Sequence, residues 1–182
     1  MASAGTAGEP AITVRPARES EVDRVVELWL AMYAYQRAHG MLLRLRDDAG
    51  EIWKRSLAGR LDAPVAVVLV AEAGGDLLGF LAAQVKRLPA HLVTGNAKVG
   101  YISETYVAPE HRRRRVGRAL VDAAFAWFER AEVGSIQLEV LVGSEVARAF
   151  WVSVGFQPDL LQLRAWLPVS RAGGDPGPAS EG

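Results

Sequence analysis

Apolar and polar residues along the chain follow two different periods, which divide it into strand-like and helix-like segments. Ile12–Val14 is a short apolar run closed by Arg15-Pro16 and predicts a strand. Over Glu19–His39 apolar residues recur at helical spacing, and Gly40 ends the predicted helix. The same spacing predicts a second helix over Asp48–Leu61. The first third of the chain is therefore predicted to be a strand followed by two helices.

The middle of the chain changes to strand-like patterning. Val65–Ala73 and Leu77–Val85 are apolar runs of strand length, and the turn residues Gly74-Gly75-Asp76 between them predict a hairpin. Arg87–Ala97 is predicted to be a loop. Lys98–Val107 then reads as a strand that runs into a basic segment.

The remaining pattern alternates between helix and strand. An apolar stripe predicts a helix from Val116 to about Glu132, and Ile136–Val142 alternates as a strand. Ser144 is placed to cap a short helix that ends at Val154, and Leu161–Leu167 predicts a last strand. The order β-α-α-β-β-β-α-β-α-β predicts an α/β (α+β) fold, a mixed sheet flanked by helices.

The composition predicts one globular domain with a flexible tail at each end. Half of the 182 residues are hydrophobic and the formal net charge is zero, which argues against broad nucleic-acid binding. Met1–Pro10 and Ser170–Gly182 are rich in small residues and are predicted to be flexible tails around a domain spanning residues 11–169. No apolar run fits a membrane span or a signal peptide, so a cytoplasmic protein is expected.

The absence of cysteine narrows the chemistry further. It excludes disulfides, thiolate zinc sites and a cysteine nucleophile. No phosphate-binding G-x-x-x-x-G-K-[ST] or G-x-G-x-x-G pattern occurs, and neither H-E-x-x-H nor G-x-S-x-G is present. Nucleoside triphosphatases, dinucleotide dehydrogenases, zinc proteases and serine hydrolases of the common types are therefore disfavoured.

The segment Val107–Leu120 carries the clearest chemical signal. A strand ends, a short loop containing Pro109 and four consecutive arginines follows, and a helix begins at Val116. The first turn of a helix presents unpaired N–H groups and the positive end of the helix dipole. Together with the arginines it predicts a site for an anion, most naturally a phosphorylated ligand.

Two spaced motifs give this site a more specific interpretation. The first is V-x-P-x-x-R-x-x-x-x-G-x-x-L, and the second is S-x-x-A-x-x-F-W-x-x-x-G-F. Their shared positions resemble the two motifs of the GCN5-related N-acetyltransferase (GNAT) family, at the same separation and on the same predicted elements. The matching residues are Val107, Pro109, Arg112 and Gly117 in the first motif and Ala147, Phe150, Gly155 and Phe156 in the second.

This resemblance implies a mostly antiparallel central sheet, the acyl-CoA N-acyltransferase fold, with acetyl-CoA as co-substrate and no metal. The pyrophosphate would bind backbone N–H groups of Arg113–Arg118, and the pantetheine arm would lie between the strand ending at Val107 and the strand of Gln137–Val142. The implied cofactor-binding residues are Tyr106, Val107, Arg112, Arg113, Arg114, Arg115, Val116, Gly117, Arg118, Ser144, Phe150 and Trp151.

Three positions depart from the family pattern. Arg115 stands where the motif has its first glycine, and Ser144 stands where Asn is frequent. Trp151 replaces the tyrosine that protonates the leaving thiolate in many members, and an indole N–H is a donor that does not act as an acid in this pH range. Because a thiolate is a tolerable leaving group near neutral pH, transfer does not require that acid.

Two carboxylates are candidates for the base that deprotonates an acceptor amine. Glu139 lies in the strand before Ser144, with parity opposite to its apolar neighbours. Glu104 lies three residues before Val107, in the other strand of the implied cleft. Either is consistent with general-base catalysis, directly or through water. Without cysteine, direct attack of the amine in a ternary complex is favoured over an acyl-enzyme.

We weigh three possible functions against the sequence. The leading one is an acetyl-CoA-dependent N-acetyltransferase that acts on a small-molecule amine or on a protein or peptide amine, with Tyr33, Tyr35 and Met41 lining the acceptor pocket. The second is a non-catalytic acyl-CoA-binding module, supported by Trp151. The third, nucleic-acid binding through Arg112–Arg115, conflicts with the zero net charge. A homodimer is consistent with the resemblance, because dimers are frequent in the family. The composition and net charge predict no membrane partner and no nucleic-acid partner.

Overall fold

Five strands form one sheet in the computed structural model, which describes residues 10–89, 91 and 95–166. Their order in the sheet follows the sequence, and neighbours are antiparallel except for the last two, which are parallel. The predicted mixed, mostly antiparallel sheet is therefore confirmed. The strands are β1 (Thr13–Pro16), β2 (Ala66–Ala73), β3 (Asp76–Arg87), β4 (Lys98–Val107) and β5 (Ser135–Leu138).

Helices cover both faces of this sheet because alternate residues of its central strands are apolar on both sides. Val68, Val70 and Phe80 pack against the first two helices, whereas Leu69 and Leu81 belong to the core under the third. Each face thus has its own buried cluster. The helices are α1 (Val22–Ala38), α2 (Ala49–Leu61), α3 (Val116–Arg130) and α4 (Glu145–Ser153), and short 3-10 turns precede α1 and α3.

Glycines at two places shape the sheet and its contact with α3. At the predicted hairpin Gly74 and Gly75 have φ values of 62° and 91°, so β2 and β3 are joined by the expected tight turn. At Gly100 a Cβ atom would lie 2.6 Å from the Phe128 ring, so only glycine lets α3 pack this closely on β4. This contact holds the beginning of β4 against the last turn of α3.

Two strand predictions are wrong in extent. The strand predicted over Ile136–Val142 ends at Leu138, and residues 161–166 form no strand, while Leu167 lies outside the described residues. A strand requires a neighbour for its backbone hydrogen bonds, and alternation alone does not supply one. Leu161 is 68% exposed, so this segment is not part of the described core. Residues 1–9 and 170–182, nearly all of the predicted tails, also lie outside the description.

Candidate active site

A gap opens between β4 and β5 towards their carboxyl ends. Their parallel pairing runs from Val99 with Ser135 to Ile102 with Leu138 and stops there. Strand β4 continues to Val107 alongside β3, while β5 ends at Leu138 and residues 139–144 lead into α4. Within the described residues, the β5-facing edge of residues 103–107 therefore has no strand partner, and its main-chain groups line the gap.

A β-bulge marks the beginning of this open edge. Ile102 pairs with Ala83 and Glu104 pairs with Ala82, so Ser103 is the extra residue on β4. Ala108 N–H donates to the Leu78 carbonyl of β3 at 3.0 Å, and backbone groups of alternate residues in an extended strand point to opposite sides. The main chain of Thr105 and Val107 therefore faces away from β3 and into the gap.

Two buried hydroxyls near this edge lack partners within the described part of the chain. They are Thr105 Oγ1 on β4 and Ser144 Oγ at the start of α4. Ser144 occupies the predicted N-cap position and is 4% exposed, but its side chain makes no capping hydrogen bond. Buried hydroxyls are normally hydrogen-bonded, so these two retain unused hydrogen-bonding capacity.

The arginine-rich loop adopts a backbone conformation that favours glycine. Arg115 is the N-cap residue of α3 with φ 66° and ψ 4°, and Arg113 has φ 61°. Both lie in the left-handed region, where a Cβ atom is strained. The position at which the sequence departs from the family glycine is therefore one where the backbone still adopts a glycine-type conformation.

The arginines of this loop and of the first turn of α3 have different surroundings. Those of residues 113–115 line an open groove together with His111, Ile12 and Asp76. Arg118, one turn into α3, pairs with Asp122 at 2.9 Å. The loop thus places several positive charges around the beginning of α3, where the helix presents free N–H groups.

Arg112 points in another direction and connects three elements. Its Nε donates to the Val107 carbonyl at 3.1 Å, and its guanidinium lies 4.6 Å from the Tyr35 ring centroid and 5.7 Å from that of Tyr106. Tyr35 in turn stacks on His39 at 4.0 Å. The motif arginine therefore holds the end of β4 against α1, a positioning role that sequence spacing did not indicate.

The second motif packs directly behind the loop. A Cβ atom on Gly117 would lie 3.4 Å from the Phe150 ring, so the beginning of α3 packs within van der Waals range of α4. Trp151 is 8% exposed and meets the rings of Phe150 and Phe156 edge-on at 5.1 and 5.2 Å. The residue at the usual tyrosine position is thus an aromatic core residue.

The two predicted carboxylates converge on one pair of tyrosines. Burial raises the pKa of Tyr101, and the charges of Glu139 and Glu104 raise it further. Burial, and then Glu104, raise the pKa of Tyr33 on α1. The sequence had placed the carboxylates on facing strands, and the structure brings them to a shared aromatic cluster.

The environments of these carboxylates differ. Glu104 Oε2 lies 3.1 Å from Arg60 Nη1 on α2 and also contacts the Ser103 hydroxyl, and its side chain is 13% exposed. Glu139 is exposed at the end of β5. The sequence did not predict Arg60 or Tyr101 as site residues, because neither lies in a motif. Only the strand register and the packing of α2 bring them to the site.

The described residues lack both a metal-binding cluster and a membrane-spanning helix. No cluster of three or more histidine, aspartate or glutamate side chains is arranged to hold a metal ion within that part of the chain. The same residues contain no helix long and apolar enough to cross a membrane.

Comparisons with known proteins relate this geometry to enzymes. An aminoglycoside N(6')-acetyltransferase type 1 of Klebsiella aerogenes is 30% identical over 99 residues, which are 54% of this chain and 61% of that protein. The enzyme of the same description from Stenotrophomonas maltophilia is 35% identical over 113 residues, covering 61% of this chain and 70% of the relative.

The fold and the family model agree with these relatives. The solved structure of the aminoglycoside N-acetyltransferase AAC(6')-Iy in complex with CoA superposes with a TM-score of 0.69 at 16% identity, covering 87% of this chain and 97% of that one. The model of the acetyltransferase (GNAT) family matches residues 22–156, which include both motifs and the gap between β4 and β5. This chain belongs to the acetyltransferase (GNAT) family.

Proposed function

We propose that the protein is an acetyl-CoA-dependent N-acetyltransferase that transfers the acetyl group to a primary amine of a cationic small molecule. The observation that carries this proposal is the open β4 edge lying next to the arginine-rich loop and the carboxylate–tyrosine cluster. Both curated relatives are named as aminoglycoside acetyltransferases, which supports a polyamino sugar as the acceptor. The match covers 61% of the length of the Klebsiella relative. An aminoglycoside acceptor is therefore a proposal for this chain.

Cofactor binding would use main chain more than side chains. The pyrophosphate would accept hydrogen bonds from the N–H groups of residues 113–118, with the surrounding arginines adding positive charge. The amide-bearing pantetheine arm would enter the gap and pair with the backbone of Thr105 and Val107 as an added strand does. The unpartnered Ser144 hydroxyl is a donor suited to the same arm.

Chemistry would follow from the two carboxylates. Glu139 is exposed and its charge raises the pKa of Tyr101, whereas Glu104 is paired with Arg60. Glu139 is therefore the proposed base that takes the proton from the acceptor ammonium, directly or through water, and Glu104 holds Arg60 and the cluster in place. A backbone N–H of β4 at the gap would stabilise the oxyanion, and the thiolate leaves without an acid at Trp151.

Steady-state kinetics of two variants tests the assignment. Glu139→Gln keeps the side-chain shape but removes the basic oxygen, so kcat should fall by about 10²–10⁴-fold with acetyl-CoA affinity unchanged. Glu104→Gln should lower kcat by less, about tenfold, because it weakens the Arg60 pair rather than removing the base. Glu129→Gln, an exposed change at the far end of α3, is the matched control. If neither cleft variant differs from this control, the base assignment is wrong.

One observation favours a second candidate, a non-catalytic acyl-CoA-binding module. Trp151 fills the tyrosine position with a buried indole, which removes the usual acid. Calorimetry with acetyl-CoA and free CoA should give saturable binding under both candidates. Binding without release of thiol across small amines, peptides and proteins would select the module over the enzyme.

A further inference from the structure

The amine of Lys86 already occupies the aromatic cluster of the candidate site. Its Nζ lies 3.3 Å from the centroid of the Tyr101 ring. In the β3–β4 ladder Lys86 pairs with Val99, and Gln84 pairs with Tyr101. The Lys86 side chain therefore extends along β3 in the direction of the bulge to reach that ring.

The lysine shares a face of the sheet with the proposed catalytic groups. Ala82, Gln84 and Lys86 alternate along β3 and point to one side, and Glu104 is paired directly with Ala82. Burial, and then the charges of Glu139 and Glu104, raise the pKa of the Tyr101 hydroxyl, whose ring lies beneath the ammonium. A primary ammonium thus rests on an aromatic ring on the same face of the sheet as Glu104, an arrangement that attracts cations by ring quadrupole and by charge.

We propose that Lys86 is a self-acetylation site: with acetyl-CoA bound and no acceptor present, the protein acetylates its own Lys86 Nζ. The proposal rests on the function proposed above, because it uses the same cofactor and the same base. What it adds is a named nucleophile, since Lys86 is a primary amine held where the acceptor ammonium of a small molecule would bind.

The step balances without a further reactant. Glu139 takes one proton from the ammonium, and the free Nζ attacks the thioester carbonyl carbon. The new C–N bond forms as the C–S bond breaks, the nitrogen gives up its second proton to water, and the coenzyme A thiolate takes one proton from water. Lysine ammonium and acetyl-CoA become acetyl-lysine, coenzyme A and one proton. The product amide is neutral, so the cation–π contact with Tyr101 is lost.

The composition of the chain makes this site easy to isolate. The sequence contains three lysines: Lys54, Lys86 and Lys98. Lys54 Nζ pairs with Asp23 at 2.5 Å, and Lys98 Nζ donates to the Ala131 carbonyl at 3.1 Å, so neither ammonium rests on the Tyr101 ring. The other two lysines are therefore internal controls for uncatalysed acetylation in the same sample.

The test is a time course of the full-length chain with acetyl-CoA and no acceptor, read by peptide mass mapping at all three lysines. We expect Lys86 to gain one acetyl group at least about tenfold faster than Lys54 and Lys98, at a rate constant independent of protein concentration. Glu139→Gln should slow acetylation at Lys86 alone. Equal rates at the three lysines, or a rate constant proportional to protein concentration, would overturn the proposal.

Parallel measurements separate this proposal from the function on which it rests. If acetyl-CoA binds and a small amine is acetylated while Lys86 stays unmodified, only self-acetylation is refuted. If calorimetry shows no acetyl-CoA binding, both proposals fail together. Lys86→Arg keeps a cation over Tyr101 but cannot form acetyl-lysine, so in that variant the fast acetylation phase should be absent.

Discussion

Replacing Arg115 by glycine should stabilise the protein, although it removes a charged side chain from the proposed cofactor loop. Arg115 has φ 66° and ψ 4° at the N-cap of α3, a left-handed conformation that costs a residue with a Cβ atom about 1–2 kcal/mol. Glycine adopts it without strain. Arg115→Ala is the matched variant, because it removes the guanidinium and keeps the strained Cβ atom.

The expected gain in free energy of unfolding is the strain energy relieved minus the entropic cost of the extra conformational freedom of glycine in the unfolded chain. That freedom costs about 0.4–1 kcal/mol, so Arg115→Gly should exceed Arg115→Ala in free energy of unfolding by about 0.5–1 kcal/mol. In a domain of this length each kcal/mol corresponds to about 2–4 °C in melting temperature. The difference is therefore within reach of urea titration and of calorimetric melting.

Measuring unfolding and acetyl-CoA binding on both variants separates the effect of backbone strain from the effect of the arginine charge. The glycine variant should be the more stable of the two, while acetyl-CoA affinity should fall equally in both, because each loses the same positive charge beside the phosphates. A glycine variant no more stable than the alanine variant would refute the argument from backbone strain. An affinity loss confined to one variant would refute the argument from charge.

Three further substitutions test packing and electrostatics. Gly100→Ala should lower the free energy of unfolding by about 1–3 kcal/mol, because its Cβ atom would meet Phe128, whereas Gly59→Ala, in open space on α2, should raise it by about 0.5–1 kcal/mol; urea titration measures both. The ion pair with Arg15 lowers the pKa of Glu21 from 4.5 to about 2. A carboxylate with a lowered pKa stabilises the fold above its unfolded pKa, and this contribution is lost as pH falls from about 4.5 to about 2. Glu21→Gln should therefore destabilise the protein at pH 7, and titrations at decreasing pH should show the two proteins converge.

Elements with an internal periodicity were predictable from the sequence alone. The strand Lys98–Val107 and the helix start at Val116 agree with the structure at each of these positions. The hairpin at Gly74 and Gly75 was equally clear, because its glycines have the positive φ values that the turn requires. The prediction of a strand from Leu161 is wrong. Its pattern is strand-like, but a strand also depends on a partner that local sequence does not specify.

The candidate site was predictable only where a motif carries it. Spacing identified the loop before α3 and the glycine at position 117, strand parity selected Glu139, and the position of Glu104 in the other strand of the implied cleft selected that residue. The cluster around Tyr101 was not predicted, because it depends on the β3–β4 register and on the bulge at Ser103. Long-range pairing of this kind leaves no local signal.

Thiol release is the most direct test of the central claim that the gap between β4 and β5 serves acetyl transfer. The chain contains no cysteine, so any thiol detected by a disulfide reagent comes from coenzyme A. With acetyl-CoA and an aminoglycoside bearing a 6'-amine, we predict release that saturates in both substrates and falls in Glu139→Gln. Release no faster than in the protein-free mixture, across aminoglycosides and simpler polyamines, would contradict the account.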